Sequence, residues 1–180
     1  MKVEDQALVE ALARHQDAIV AEWLARTLKS YPGPTARFLL NDQDPFRNPV
    51  GGALKQGLPV LVEEVLGNMD AARVTPVLDS IVRIRAVQDF TPSQAVAFLF
   101  LLKDVLRGQG PVPAEIEQRI DRLALAAFDL YSACREQISE IKVGEARRAV
   151  GAVPGAATGV PQRAATARWG RERSVRGELP

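Results

Sequence analysis

The chain has few of the residues from which catalytic and metal sites are built, with one cysteine and one histidine among 180 residues. The lone Cys134 excludes an internal disulfide and a multi-cysteine metal site, and we expect a reduced thiol in the core. His15 has no second histidine with which to bind a metal, and a catalytic triad around it lacks partners. It falls at helical spacing with Leu8, Leu12 and Ile19, so we predict a packed histidine, with a single haem ligand as the alternative.

Long apolar segments are also missing. The apolar run Ala95 to Leu102 is eight residues long, far short of the roughly 20 residues that span a bilayer. The N-terminus, Met1 to Gln6, is charged and lacks the apolar run of a secretory signal. We therefore expect a cytoplasmic protein with no insertion into a membrane.

The remaining patterns that bear on chemistry are weak. The segment Gly52 to Gly57 has the glycine spacing of a phosphate-binding loop, but leucine and proline follow where a lysine and a serine or threonine are required. The acidic pairs Glu63–Glu64 and Asp42/Asp44 are expected on solvated faces. The sequence thus predicts no catalytic set, no metal site and no cofactor, and we do not expect an enzyme.

Charge is distributed unevenly along the chain. Residues 1–143 contain 16 basic and 19 acidic side chains, whereas residues 144–180 contain seven arginines and three glutamates. This second stretch is rich in alanine, glycine and proline, and Trp169 is its only aromatic residue, so it cannot bury enough apolar surface to offset its ordering entropy. We predict a helical domain over 1–143 and a disordered basic tail over 144–180. Nucleic acid binding is not expected, because the tail arginines lack a folded platform.

Apolar residues before the tail recur at helical spacing, and no segment alternates as a strand does, so we predict an all-α protein with a single compact helical bundle. Thr91 is predicted to cap a helix that begins at Pro92, with Gln94 completing a capping box. Because that helix is apolar on all sides at first, we expect it in the centre of the domain. The predicted helices span about Asp5 to Tyr31, Val50 to Leu66 with a break or kink near Pro59, Val74 to Gln88, Pro92 to Arg107, and Ala114 to beyond Ile141.

The last predicted helix carries a long apolar stripe. Its first half is expected to lie across its own domain, whereas the part beyond Cys134 can project and pair with a second chain. We therefore predict a homodimer. The stripe consists of Ile116, Ile120, Leu123, Ala127, Leu130 and Cys134, and then, after one slip of register, Ile138 and Ile141.

Two arginines, Arg83 and Arg85, lie two residues apart on one predicted helix and must point in different directions. At least one should approach the apolar side, where a buried guanidinium needs a carboxylate or carbonyl partner. Asp44, Asp79 or Asp89 can supply a carboxylate. We favour an ion pair that fixes a loop to this helix over an anion-binding pocket.

Two motifs resemble a known family. Residues Asp44 to Gly51 read DPFRNPVG, and Ile84 to Ala95 read IRAVQDFTPSQA. Together with the preceding helix, Trp23 to Tyr31, they resemble the RsbRD N-terminal domain family over about residues 10 to 140. The resemblance implies the sensory half of an RsbT co-antagonist of bacterial stressosomes, or a domain that precedes a histidine kinase. It also implies a helical, globin-like fold that dimerises without haem.

Co-antagonists of this family carry a C-terminal STAS domain, and no such sequence follows here, so we expect a stand-alone sensor that signals through its dimer, its last helix or a partner protein. The leading hypothesis is a non-enzymatic domain for signal transduction and stress response that acts through protein–protein contacts. Two alternatives stay open: a small-ligand or cofactor carrier with an apolar cavity beside Phe98 and Phe100, and an adaptor subunit of a larger complex. The candidate ligand- or partner-binding cluster consists of Arg47, Asn48, Arg85, Gln88 and Asp89.

Overall fold

A computed structural model describes residues 3–42, 44 and 46–151, and these residues form seven α-helices and no strand. One continuous hydrophobic core joins the helices into a bundle, which confirms the predicted all-α bundle with a long C-terminal helix. The helices are α1 (Val3–Arg14), α2 (Gln16–Leu28), α3 (Gly33–Asn41), α4 (Pro49–Leu66), α5 (Ala71–Val87), α6 (Pro92–Gln109) and α7 (Ala114–Gly151).

The centre of the core lies where α2 packs on α6. Trp23 is fully buried, and its ring stacks on Phe98 with centroids 6.0 Å apart and an interplanar angle of 12°. The indole N–H donates to the backbone carbonyl of Phe98 at 2.6 Å, so this large side chain is buried without an unpaired donor. The contact joins two helices that are far apart in the chain.

The start of α6 confirms the predicted capping box. The Thr91 hydroxyl accepts a hydrogen bond from the Gln94 backbone N–H at 3.3 Å, and the Gln94 side-chain oxygen accepts one from the Thr91 backbone N–H at 3.0 Å. Pro92 occupies the first turn, where its missing N–H leaves no hydrogen bond unmade. Local sequence alone is therefore sufficient to start this helix.

The first predicted helix is interrupted at His15. Helix α1 ends at Arg14 and α2 begins at Gln16, and the His15 N–H bonds to the carbonyl of Leu12, three residues earlier, at 3.0 Å. The regular spacing that places His15 on the apolar face is lost at this tight turn. His15 is exposed, so the prediction of a packed histidine is wrong.

Two helical segments differ from the prediction. Helix α3 occupies a stretch for which the sequence predicts no helix, because Pro32, Gly33 and Pro34 were interpreted only as a stop, whereas Pro34 fits the first turn of a new helix. Helix α4 continues through Pro59, so the helix is not broken there, and the alternative of a kink stays a prediction. Its buried neighbours, among them Leu58, hold the helix on both sides of the proline.

Glu64 also departs from the prediction of a solvated acidic pair. It is 4% exposed, pairs with Arg73, and accepts the backbone N–H of Asp70 at 2.8 Å. Glu63 stays exposed and binds the same arginine at 2.7 Å. Glu64 therefore fixes the connection between α4 and α5, and a buried carboxylate with two such partners is a structural group.

Helix α7 begins at Ala114 as predicted and is 38 residues long. It continues through Gly144, where the sequence predicts the tail to begin, because strong helix formers such as Ala146, Arg147 and Arg148 follow. The rest of the predicted tail, residues 152–180 with Trp169, lies outside the described residues. Cys134 is buried and has no disulfide partner, as predicted. Among the described helices, none has the length and apolar character to cross a membrane.

Helices α3 and α4 meet closely at the start of α4. Asn48 is 2% exposed, and its side-chain oxygen accepts the backbone N–H of Gly51 at 2.8 Å. Its amide nitrogen donates to the carbonyls of Leu39 at 2.9 Å and Asp42 at 2.7 Å. A Cβ atom on Gly51 would lie 2.4 Å from the Leu39 carbonyl oxygen. Only glycine therefore allows this approach of the two helices.

Gly51→Ala is expected to lower the free energy of unfolding by about 2 to 3 kcal/mol, because a backbone oxygen cannot move aside by changing rotamer. Gly52→Ala is the matched control, since a Cβ atom there meets nothing within 4 Å. That change should raise the free energy of unfolding by about 0.5 to 1 kcal/mol. Urea unfolding followed by circular dichroism measures both. Equal effects of the two substitutions would contradict the close contact.

Candidate functional site

Arg85 is a buried arginine near the end of α5, with 1% of its surface exposed. This confirms that one of the two neighbouring arginines turns towards the core, while Arg83 stays on the surface. Of the two predicted kinds of partner, Arg85 has a backbone carbonyl, that of Gln94, and the favoured ion pair with a carboxylate is not formed. The three aspartates proposed for that role bond elsewhere: Asp79 to Arg83, Asp89 to Arg135, and Asp44 to the backbone N–H of Phe46.

Three aromatic rings surround the Arg85 guanidinium instead. Its central carbon lies 4.8 Å from the ring centroid of Phe98, 5.1 Å from that of Phe90 and 5.5 Å from that of Tyr31. A ring face carries negative potential, and such a contact contributes about 2 kcal/mol when it is desolvated. One guanidinium nitrogen, Nη1, donates to the backbone carbonyl of Gln94 at 3.1 Å. We call Arg85 and these three rings the arginine cage.

The opposite edge of the Arg85 guanidinium makes no hydrogen bond of good geometry. Its Nε and Nη2 atoms are buried and have no partner at the distance and angle of a hydrogen bond, and the same holds for the hydroxyls of Thr27 and Tyr31. Tyr31 is nevertheless close enough for its side chain to interact with the guanidinium. Within the described part of the chain, the buried side-chain nitrogens and oxygens that lack a partner all belong to these three residues. Nε and Nη2 form the side edge of the guanidinium, whose parallel N–H bonds match the two oxygens of a carboxylate. The site therefore contains hydrogen-bond donors without an acceptor.

Burial shifts the pKa of both titratable groups in the cage, Arg85 and Tyr31. It lowers the pKa of Arg85, an effect that the neighbouring Tyr31 partly opposes, but an arginine in a protein keeps its proton. Burial also raises the pKa of Tyr31, against the opposing effect of the Arg85 charge, so the phenol stays protonated at neutral pH. The cage thus holds one full positive charge beside a neutral phenol.

A narrow internal gap and an open groove meet at Tyr31. The gap lies beside Arg85, has mostly apolar walls, and is too narrow for a water molecule. The groove runs along α2 and α3 and has a volume of about 470 Å³. Tyr31 belongs to the walls of both, so its side chain stands between the groove and the guanidinium. The groove is otherwise lined by Ala25, Leu28, Lys29, Gly33, Ala36, Arg37 and Leu40.

The five residues of the predicted polar cluster have different surroundings. Arg47 is exposed and pairs with an aspartate at 3.6 Å, whereas Asn48 is the buried cap of α4. Gln88 and Asp89 are exposed in the turn after α5, where Asp89 has a φ angle of 58°. Among the described residues, no hydrogen bond or ion pair joins any two of the five. Arg85 alone lines the internal gap.

Phe98 and Phe100 do not share the predicted apolar cavity. Phe98 is 1% exposed in the core, whereas Phe100 is 45% exposed and lies beside Lys103. The sequence interpretation also missed Thr27 and Tyr31. Their spacing of four residues, which continues the stripe from Trp23, is a signal that could have placed Thr27 on the inner face of α2 and Tyr31 near the core just beyond the end of that helix.

Arg85→Met tests whether the buried charge is needed for folding. Methionine keeps much of the side-chain volume, and replacing a buried charge by an apolar side chain is often neutral or stabilising. We expect the free energy of unfolding to stay within about 1 kcal/mol of the wild type or to rise. Arg85→Ala should lower it by about 3 kcal/mol, because it leaves a cavity. If methionine is as destabilising as alanine in a urea titration, the charge itself holds the fold together.

The chain was compared with known proteins. The family model of the RsbT co-antagonist protein rsbRD N-terminal domain matches residues 17–109, slightly more than half of the chain. The match runs from the start of α2 to the end of α6, a shorter stretch than the resemblance suggested. Neither a search of curated proteins nor a search of solved structures found a match. The family indicates a signalling domain of the sensor type. On the strength of this match, the chain belongs to the RsbRD N-terminal domain family.

Proposed function

We propose that this chain is a non-enzymatic regulatory domain that receives a signal in its helical core and passes it to another protein chain through α7. The family description supports this proposal, since it names a co-antagonist of RsbT, and a co-antagonist acts through other proteins. We place this activity in stress signalling in the cytoplasm of a bacterium. The globin-like arrangement implied by the resemblance stays a prediction.

The observation that carries the proposal is the projection of α7 beyond the core. The buried residues of the helix end at Cys134. From Ser139 to Ala149 every residue is exposed, except for the half-buried Gly144. A helical segment without a packed face is only marginally stable in water by itself. Ile141, 58% exposed, and Val143, 46% exposed, offer apolar surface to a partner on this segment.

A direct path leads from the arginine cage to α7. The Tyr131 hydroxyl on α7 donates to the backbone carbonyl of Phe90, one of the cage residues. One turn later, Arg135 donates to the carbonyl of Ala86 at 3.1 Å and to the Asp89 carboxylate at 3.0 Å. A movement of the turn between α5 and α6 would therefore change the position of α7. We infer that this turn couples the core to the projecting segment.

We propose a second copy of the chain as the partner of α7. Ile138 is half-buried against the core, and Ile141 continues the same stripe into the exposed segment. Antiparallel or parallel pairing of two such segments would cover both isoleucines. The projecting segment also carries charges of both signs, among them Glu140 and Lys142, which suits pairing between two identical helices.

Sedimentation equilibrium of the full chain tests the pairing. We expect a dimer, with twice the 19.6 kDa mass of one chain. Ile141→Lys should weaken the dimer at least tenfold, because losing one buried isoleucine costs about 1.5 to 3 kcal/mol. Val87→Lys is the matched control, since Val87 is 67% exposed on α5. A monomer at all concentrations would contradict the pairing, and so would equal weakening by the two substitutions.

A further inference from the structure

We propose that Arg85 is the receptor for the carboxylate of a small organic acid with an apolar tail. The two carboxylate oxygens accept hydrogen bonds from Nε and Nη2, the unpaired edge of the guanidinium. The hydroxyls of Tyr31 and Thr27 supply further donors. Binding at this site requires no pairing of α7, so ligand binding and dimerisation can be tested, and can fail, separately.

The unpaired nitrogens of Arg85 point to an anion because they can only donate, whereas the two hydroxyls can donate or accept. A buried donor without a partner is costly, and more so when it is charged. Arg85 leaves two nitrogens in that state, and it lines a gap that is too narrow for water. The three rings lie against the guanidinium, but they supply no acceptor for its in-plane N–H bonds. A carboxylate provides two acceptor oxygens in the plane of the guanidinium.

The charge of the site selects a monoanion. Arg85 brings a single positive charge, and the walls of the gap are otherwise apolar except for Tyr31. One carboxylate neutralises that charge, whereas a doubly charged phosphate would leave a buried negative charge with no further cation to pair with it. The side edge of the guanidinium also fits the planar carboxylate group in a bidentate manner.

Thr27 is placed to contribute because of its position on α2. It lies one turn after Trp23, which stacks on Phe98, and one turn before Tyr31, which faces Arg85. Phe98 in turn contacts the Arg85 guanidinium. Thr27 lies between Trp23 and Tyr31 in the sequence, is fully buried, and has a hydroxyl without a hydrogen-bond partner.

The groove along α2 and α3 supplies the entry path and the place for the tail. Its volume of about 470 Å³ lies in the range of small-molecule sites. The apolar tail packs on Leu28, Ala36 and Leu40, and the carboxylate passes Tyr31. Because Tyr31 belongs to the walls of both the groove and the gap, its side chain must turn aside to let the carboxylate reach Arg85. Lys29 and Arg37 also line the groove and attract the anion.

Isothermal titration of the full chain with sodium hexanoate tests the site. We expect saturable binding of one hexanoate per chain, together with a higher melting temperature. 1-Hexanol has the same tail without the charge, and inorganic phosphate has charge without a tail. Neither should bind at the same concentration. Equal binding of hexanol or phosphate would overturn the proposal, and so would the absence of hexanoate binding.

Substitutions then locate the binding. Arg85→Met should weaken hexanoate binding at least fiftyfold, and Tyr31→Phe, which keeps the ring, about tenfold. Arg83→Met removes an exposed arginine two residues away and should leave the affinity unchanged. If Arg85→Met does not fold, Tyr31→Phe against Arg83→Met decides the matter. If Arg85→Met folds, unchanged hexanoate affinity in both Arg85→Met and Tyr31→Phe contradicts the proposed site. If Arg85→Met is unfolded, unchanged affinity in Tyr31→Phe alone contradicts it.

Discussion

The enclosure of the Arg85 side chain by three aromatic rings is the packing contact on which the centre of the molecule depends. The rings of Tyr31, Phe90 and Phe98 come from the connection between α2 and α3, the turn between α5 and α6, and α6 itself. The Arg85 guanidinium therefore contacts three separate parts of the bundle from α5. Its contact with Phe98 also reaches Trp23, the largest side chain of the buried core. A change at this one side chain therefore reaches α2, α5 and α6.

The protein supplies only part of the contacts that the Arg85 guanidinium can make. Ring faces and one backbone carbonyl stabilise the charge, yet the edge with Nε and Nη2 has no acceptor. Such an edge has the geometry to bind a carboxylate with two parallel hydrogen bonds. Here the nearby aspartates bind groups at the surface instead. Asp89 binds Arg135 and so attaches α7 to the turn after α5. The same turn thus belongs to the cage and to the attachment of α7, which gives a signalling domain a short path from core to surface.

Local sequence predicts much of this fold, because the Thr91 capping box and the apolar stripe of α7 are encoded by neighbouring residues. The interruption at His15 is invisible to helical periodicity, since one displaced residue hardly changes the spacing. The burial of one of the two arginines follows from the separation of Arg83 and Arg85 by two residues, although this spacing does not say which of them is buried. The aromatic partners of Arg85 cannot be predicted from the local sequence, because cation–π contacts depend on tertiary packing. For the same reason, the predicted polar cluster of five residues is dispersed in the structure.

The most direct measurement is the NMR resonance of the Arg85 Nε–H group in the full chain, assigned through its loss in Arg85→Lys. In protein free of small molecules, we predict that the Nε–H proton has the chemical shift of a guanidinium N–H without an acceptor. Burial should also protect this proton from exchange with solvent. Sodium hexanoate should shift it downfield as a hydrogen bond to the carboxylate forms. A resonance that is already downfield in the free protein and does not move with hexanoate would show that the chain itself supplies the acceptor, and the open edge of Arg85 would not exist.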